Sequence, residues 1–184
     1  MRRNDKPPQW RTRFNRFALI LAPLLLVLGT ASGFLSGSGE GNPWFAALVK
    51  PALYPPPIAF PIVWSVLYLL MGVALAAILA GPPSPARRAA IIAFVVQFVL
   101  NLIWSPMFFA VHSIGGALIV ILALFVALGF TIVAFARVNR MAAYLLVPYI
   151  AWVSFAAGLN LQLLQDNPQG GDARASAAVV PARA

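Results

Sequence analysis

Gln97, Asn101, Trp104, Ser105 and Phe108 recur every three or four residues in an otherwise aliphatic stretch. At 3.6 residues per turn they share one face of a helix. Tyr149, Trp152, Ala156 and Asn160 repeat the arrangement further along the chain. Together the stripes offer amide and hydroxyl hydrogen bonds beside flat aromatic walls, with no acid, basic side chain or thiol among them. Groups of this kind hold a ligand by stacking and a few directed hydrogen bonds. A plainer account also fits, because Gln97, Asn101 and Asn160 can tie helices together inside a membrane, each stabilising by about 1 kcal/mol. Two facing stripes favour an amphipathic pocket.

The wider inventory excludes most catalysis. The chain has no cysteine, one histidine and four acids, so a disulfide framework, a thiolate metal site and a cysteine nucleophile are ruled out. His112 has no second histidine or acid nearby in sequence, and it is expected to be a solvated interfacial residue rather than a haem or metal ligand. No metal site is expected. Only 9% of the residues are charged and 61% are hydrophobic, with a mean hydropathy of +0.87. A soluble domain carries about 25% charged residues, so this composition belongs in a membrane. The net charge of +9 is not a nucleic-acid signal, because the basic residues collect at the ends of apolar runs.

Five apolar runs, at about 17–35, 60–80, 87–110, 114–136 and 141–164, must position the stripes. Each is long enough to cross a hydrocarbon core of about 30 Å, and helices satisfy the backbone there. The expected fold is all-α, an integral membrane bundle of five transmembrane helices over 17–164. A basic extension at 1–16 precedes it, a proline-rich loop at 36–59 caps it, and a disordered tail follows at 165–184. Small residues after the first run raise a cleavable signal peptide, but the run's length favours a span. The short turn at His112 and Ser113 makes spans three and four an antiparallel hairpin. An odd helix count without an internal repeat, and spans with uncharged interiors, weigh against proton-driven transport. Most of the thirteen Lys and Arg lie in the N-terminal segment and the turns at 81–88 and 137–140. The positive-inside rule makes that side, with the N-terminus, cytoplasmic, and leaves open which membrane holds the protein. Trp10, Trp44, Trp64 and Trp104 fall near span boundaries, where an aromatic belt is expected; Trp64 stands just inside its span. Ala86, Ala89, Ala90 and Ala93 give a small-residue dimer face.

Longer motifs carry a resemblance. Pro43-Trp44-Phe45, Leu48, Lys50-Pro51, Pro55-Pro56, Phe60-Pro61, Trp64, Leu67-Tyr68 and Met71-Gly72 resemble the loop and second helix of the TspO/translocator (peripheral benzodiazepine receptor) family. Gln97, Asn101, Trp104-Ser105 and Phe108-Phe109 are similar to its third-helix signature. Pro148-Tyr149, Trp152, Phe155-Ala156 and Leu159-Asn160 are similar to its fifth. The resemblance implies a retained first helix and a five-helix homodimer in membrane lipid. It implies binding of protoporphyrin IX, haem and other hydrophobic ligands, sterol in animal members, with no required cofactor and no nucleic acid. Ligand contacts carry over to Phe45, Pro55, Trp64, Asn101, Trp152 and Ala156. Trp44, Tyr68, Gln97, Trp104, Tyr149 and Asn160, from the motifs and stripes, complete the candidate ligand-binding set. The implied role is a receptor or sensor regulating tetrapyrrole or stress responses. The alternatives are a light-dependent porphyrin-degrading enzyme using Trp64 and Trp152, and a porphyrin or sterol transporter. Phe45 stands where the family has tyrosine, and Leu53 where it has an aromatic, with Tyr54 beside it as a substitute. The segment before Asn42 is longer than usual, and only a reversed sterol pattern, Arg140, Tyr144 and Leu146, is present. Lys50, the loop's one basic group, either holds the loop as a lid or meets a ligand carboxylate.

Overall fold

Prolines and small polar caps set the helix boundaries. In the computed structural model, which describes residues 8–168, helix α1 spans Pro8–Leu35. It starts well before residue 17, because arginine is a good helix former and nothing between Pro8 and Phe17 breaks the pattern. Its 28 residues reach about 42 Å at 1.5 Å per residue, more than the apolar layer, so the first turns carry Arg11 and Arg13 beyond it. Residues 1–7 of the expected extension and 169–184 of the expected tail lie outside the described residues.

A short helix α2, Pro43–Ala47, interrupts the long loop, and α3 follows at Ala59–Ala80. Helix α4, Pro85–Ser105, begins where the Ser84 hydroxyl accepts from the Arg87 N–H at 3.1 Å. It runs on as one π-turn, Pro106–Ala110. Pro106 has no N–H to give the Leu102 carbonyl, and the Ser32 hydroxyl of α1 donates to that carbonyl at 2.7 Å. Helix α5, Ile114–Val138, starts at the Ser113 cap, one residue after His112 turns the chain with a φ of 58°. The fifth span is divided into α6, Arg140–Tyr144, and α7, Val147–Asp166. Pro148 cannot donate back across the junction, so the break falls at Leu145 and Leu146. Five segments are long and apolar enough to cross a membrane, and the described residues contain no strand.

Lipid is as apolar as leucine, so close packing rather than the hydrophobic effect brings the helices together. Gly72 lets α3 meet α1: a Cβ there would stand 2.4 Å from the Ala22 Cα. Gly29 receives the Tyr68 ring, which would lie 2.0 Å from a Cβ at that position. Helix α4 packs along α5 as the expected hairpin, with Phe94 stacked on Phe135 at 6.0 Å. Ala90 is spent inside this packing, whereas Ala86 and Ala89 remain exposed. Helix α3 meets α6, and it reaches α7 through rings: Trp64 to Tyr149 at 6.1 Å and Phe60 to Trp152 at 5.8 Å. A cavity occupies the gap.

Candidate functional site

The cavity holds about 730 Å³ and opens towards the end of the bundle that carries the long loop. That volume suits an organic ligand. Helices α1, α3, α4, α5 and α7 form its walls, and the loop closes over it. Phe45, Trp64, Tyr68, Asn101, Trp104, Trp152, Ala156 and Asn160 all line it. The two stripes therefore face one another, as their periodicity requires. Pro55 stands back from the wall, and Pro57 takes its place.

Asn101 and Asn160 are engaged at both ends of their amides. Tyr68 donates its hydroxyl hydrogen to Asn101 Oδ1 at 3.0 Å, and Asn101 Nδ2 donates to the Tyr149 oxygen at 2.9 Å. Trp104 Nε1 donates to Asn160 Oδ1 at 3.3 Å, and Asn160 Nδ2 donates to the Ile114 carbonyl at 3.0 Å. Both asparagines thus act as struts across the bundle while exposing part of their surface to the cavity. Tyr149 is wholly buried behind that strut. Gln97 lies one turn below the cavity floor, fully buried, with Nε2 4.0 Å from the Met71 sulfur and Oε1 without a partner. Trp152 is a different case: it lines the cavity, and its Nε1–H is out of water and has no acceptor. An indole N–H only donates, and this one has no surface open to the empty cavity, so Trp152 offers a ligand its ring rather than its N–H.

The boundary tryptophans divide. Trp104 turns inward and stacks on Phe108 at 5.2 Å, while Trp44 is buried against His112 at 4.5 Å with nearly parallel rings. Neither joins an aromatic belt. Trp10 stacks on Phe14 at 5.1 Å near the start of α1.

Side chains pin the loop on either side of α2. Asn42 Oδ1 accepts from the Trp44 and Phe45 N–H groups at 3.1 and 3.2 Å, and its Nδ2 donates to the Phe109 carbonyl of the π-turn at 3.2 Å. At the other end the Val49 N–H donates to Asn167 Oδ1 at 2.9 Å, and Asn167 Nδ2 donates to the Val49 carbonyl at 3.1 Å. Lys50 folds back on α2, its ammonium 4.1 Å from the centre of the Phe45 ring. It donates to the Phe45 carbonyl, and to that of Leu48 at 3.3 Å. It therefore caps the C-terminus of α2 and does not line the cavity. Asn167→Ala removes one pin without touching the core. Amide exchange around Val49 is expected to quicken by at least about tenfold, the size of one lost hydrogen-bonded closure, with little change in thermal midpoint. Hydrogen-exchange mass spectrometry on the loop peptide measures this.

Residues 19–165 match the TspO/MBR family. The chain belongs to that family. Tryptophan-rich protein TspO of Chlorobaculum tepidum is 40% identical over 158 residues, covering 84% of this chain and 99% of the relative. Protein CrtK of Rhodobacter capsulatus is 32% identical over 153 residues, 82% of this chain and 95% of that protein. The human translocator protein is 34% identical over 142 residues, 76% and 84% of the two chains. Family membership and five apolar helices make this a multi-pass integral membrane protein.

Departures from the TspO/MBR pattern have structural answers. Leu53 is 70% exposed, and Tyr54 takes the inward place, with its ring 5.2 Å from Phe60 and 6.1 Å from Phe45. Burial first, and the charge of Glu40 second, push the Tyr54 hydroxyl up to about 12, so it stays protonated at any physiological pH. Tyr54, named in the sequence as a substitute for the aromatic at Leu53, takes that place, and with Phe60 it makes an aromatic path down one wall. Sequence reasoning missed Asn42 and Asn167. The pair Asn42-Pro43 is a helix-start signal that was available, whereas nothing local marks Asn167 as a partner for Val49.

Proposed function

We propose that the protein is an intramembrane receptor for flat, hydrophobic ligands, tetrapyrroles such as protoporphyrin IX and haem foremost, and that occupancy regulates tetrapyrrole or stress responses. The observation that carries this is the lidded cavity, where Trp64, Trp152, Tyr68 and Phe60 offer stacking surfaces. A flat conjugated macrocycle of four pyrroles fills such a slot by stacking on these rings. The relatives' names, among them tryptophan-rich sensory protein, accord with a sensing role. By the positive-inside rule the arginine-bearing end faces the cytoplasm and the lid faces away. A homodimer and sterol binding belong to the same reading, with Ala86 and Ala89 free to meet a second copy.

Titration of the purified protein with protoporphyrin IX, followed by the shift of the main porphyrin absorption band, tests it. Wild type is expected to saturate. Trp152→Phe keeps an aromatic side chain but a smaller one, and is expected to bind several-fold more weakly through lost stacking surface. Equal affinity in wild type, Trp152→Phe and Trp64→Ala would remove this cavity as the binding site.

A second reading has one observation behind it: both Trp64 and Trp152 line the cavity. An excited porphyrin can draw an electron from a touching indole and pass it to dioxygen; the indole radical would recover an electron from the porphyrin, leaving the porphyrin oxidised and dioxygen as the oxygen source for ring opening. Illumination of the loaded protein separates the readings. A product that disappears in Trp64→Phe while binding persists supports the enzyme.

A further inference from the structure

Among the described residues, Glu40 is the one formally charged side chain that lines the cavity. It sits where the cavity meets water. It is also held in place: the Asn42 N–H donates to the Gly39 carbonyl at 3.0 Å, closing a tight turn over Glu40, and Asn42 is itself pinned to the π-turn. Gly39 enters that turn at a φ of 112°, where a side chain would be strained. Across the mouth stands Tyr54, whose hydroxyl feels the Glu40 charge. Lys50, the one basic residue on the lid, has its ammonium committed to the Phe45 and Leu48 carbonyls. Among the described residues the mouth of the cavity is therefore negative, and the rest of the wall carries no charge to offset it.

We propose that Glu40 is a charge filter at the cavity mouth, favouring ligands whose solvent-facing edge is neutral or cationic over those presenting carboxylates. This rests on the cavity being the binding site for flat hydrophobic ligands. Of the two roles the sequence left open for Lys50, it keeps the one that holds the lid and sets aside contact with a ligand carboxylate. A macrocycle with its apolar body in the cavity must turn its polar edge to the mouth, because burying an ionised carboxylate among these walls is costly. Each carboxylate at that edge then faces Glu40. Two like charges in water-exposed surroundings repel by about 1 kcal/mol at about 4 Å and less further apart. Salt screens them over about 8 Å, so the effect is a several-fold preference rather than an exclusion.

The test uses three probes built on one macrocycle: protoporphyrin IX, its dimethyl ester, and a bis-amide carrying two quaternary ammonium groups. Each is titrated into wild type, Glu40→Gln and Glu40→Lys in nanodiscs of phosphatidylcholine, so the lipid adds no net charge. In wild type the ester and the cation are expected to bind more tightly than the diacid. The diacid-to-ester ratio of dissociation constants is expected to fall about 3- to 10-fold in Glu40→Gln and further in Glu40→Lys. Both changes should vanish in 1 M salt, where screening acts over about 3 Å. An unchanged ratio across the three proteins overturns the filter and leaves the cavity reading intact. If even the uncharged ester fails to saturate any of them, both fall together.

Discussion

Gly72→Ala is expected to lower the thermal midpoint of the purified protein by about 6 to 12 °C, and Gly72→Val to abolish folding. A Cβ on Gly72 would lie 2.4 Å from the Ala22 Cα and 2.6 Å from the Ala22 nitrogen, against 3.4 Å or more for ordinary contact. Both obstacles are backbone, so no rotamer change relieves them; α1 must move off α3. Overpacking of this kind costs about 3 kcal/mol, and for a chain of this length each kcal/mol is worth about 2 to 4 °C. Because α1 forms one wall of the cavity, ligand binding should fall with the fold. Two controls sharpen the comparison. Gly129→Ala and Gly158→Ala place their new Cβ where nothing lies within 4 Å. Alanine's better helix propensity should leave both variants neutral or more stable by up to about 1 kcal/mol. Scanning fluorimetry in one detergent compares all four. Equal midpoints for Gly72→Ala and Gly129→Ala would show that the α1 and α3 backbones do not meet as closely as described.

Asn101→Leu should cost about 2 to 4 kcal/mol of stability, and more stability than affinity. Its amide is the joint between Tyr68 and Tyr149, and both hydroxyls are buried with it. Leucine has a similar volume and no polar atom, so two buried hydroxyls lose their partner at about 1 to 2 kcal/mol each. The contrast with Trp152→Phe is the informative part. That variant changes no hydrogen bond within the protein, since the Trp152 N–H has none, so its stability should be close to wild type while its affinity falls. Thermal midpoint and porphyrin affinity plotted together should place the two variants on opposite axes. If Asn101→Leu stayed fully stable and lost binding alone, the amide would be a ligand contact and not a strut.

The helical period told which faces of α4 and α7 look inward, and the structure has them facing one another. It could not tell depth. Gln97 shares a stripe with Asn101, and Tyr149 shares one with Trp152, yet both lie outside the cavity, because a stripe runs on along a helix after the space beside it has closed. Span count was legible from apolar length alone. The start of α1 was not, because arginine ends an apolar run without ending a helix. Gly29 and Gly72 look like ordinary membrane glycines in sequence; only the approach of a helix more than thirty residues away gives them a task. Lys50 shows the same limit for charge. Its position on the loop was plain, but its direction depends on two carbonyls freed at the end of a five-residue helix that no periodicity announces.

The two asparagines that pin the lid have one more property in common. Each is followed by proline, Pro43 after Asn42 and Pro168 after Asn167. Asparagine deamidates when the next backbone nitrogen attacks the side-chain amide carbon, closes a five-membered imide and expels ammonia. Proline's ring nitrogen has no hydrogen to lose and cannot close that imide. Both pins are therefore shielded from the commonest route of chemical ageing in proteins. A lid latched this way is not loosened by deamidation at either pin.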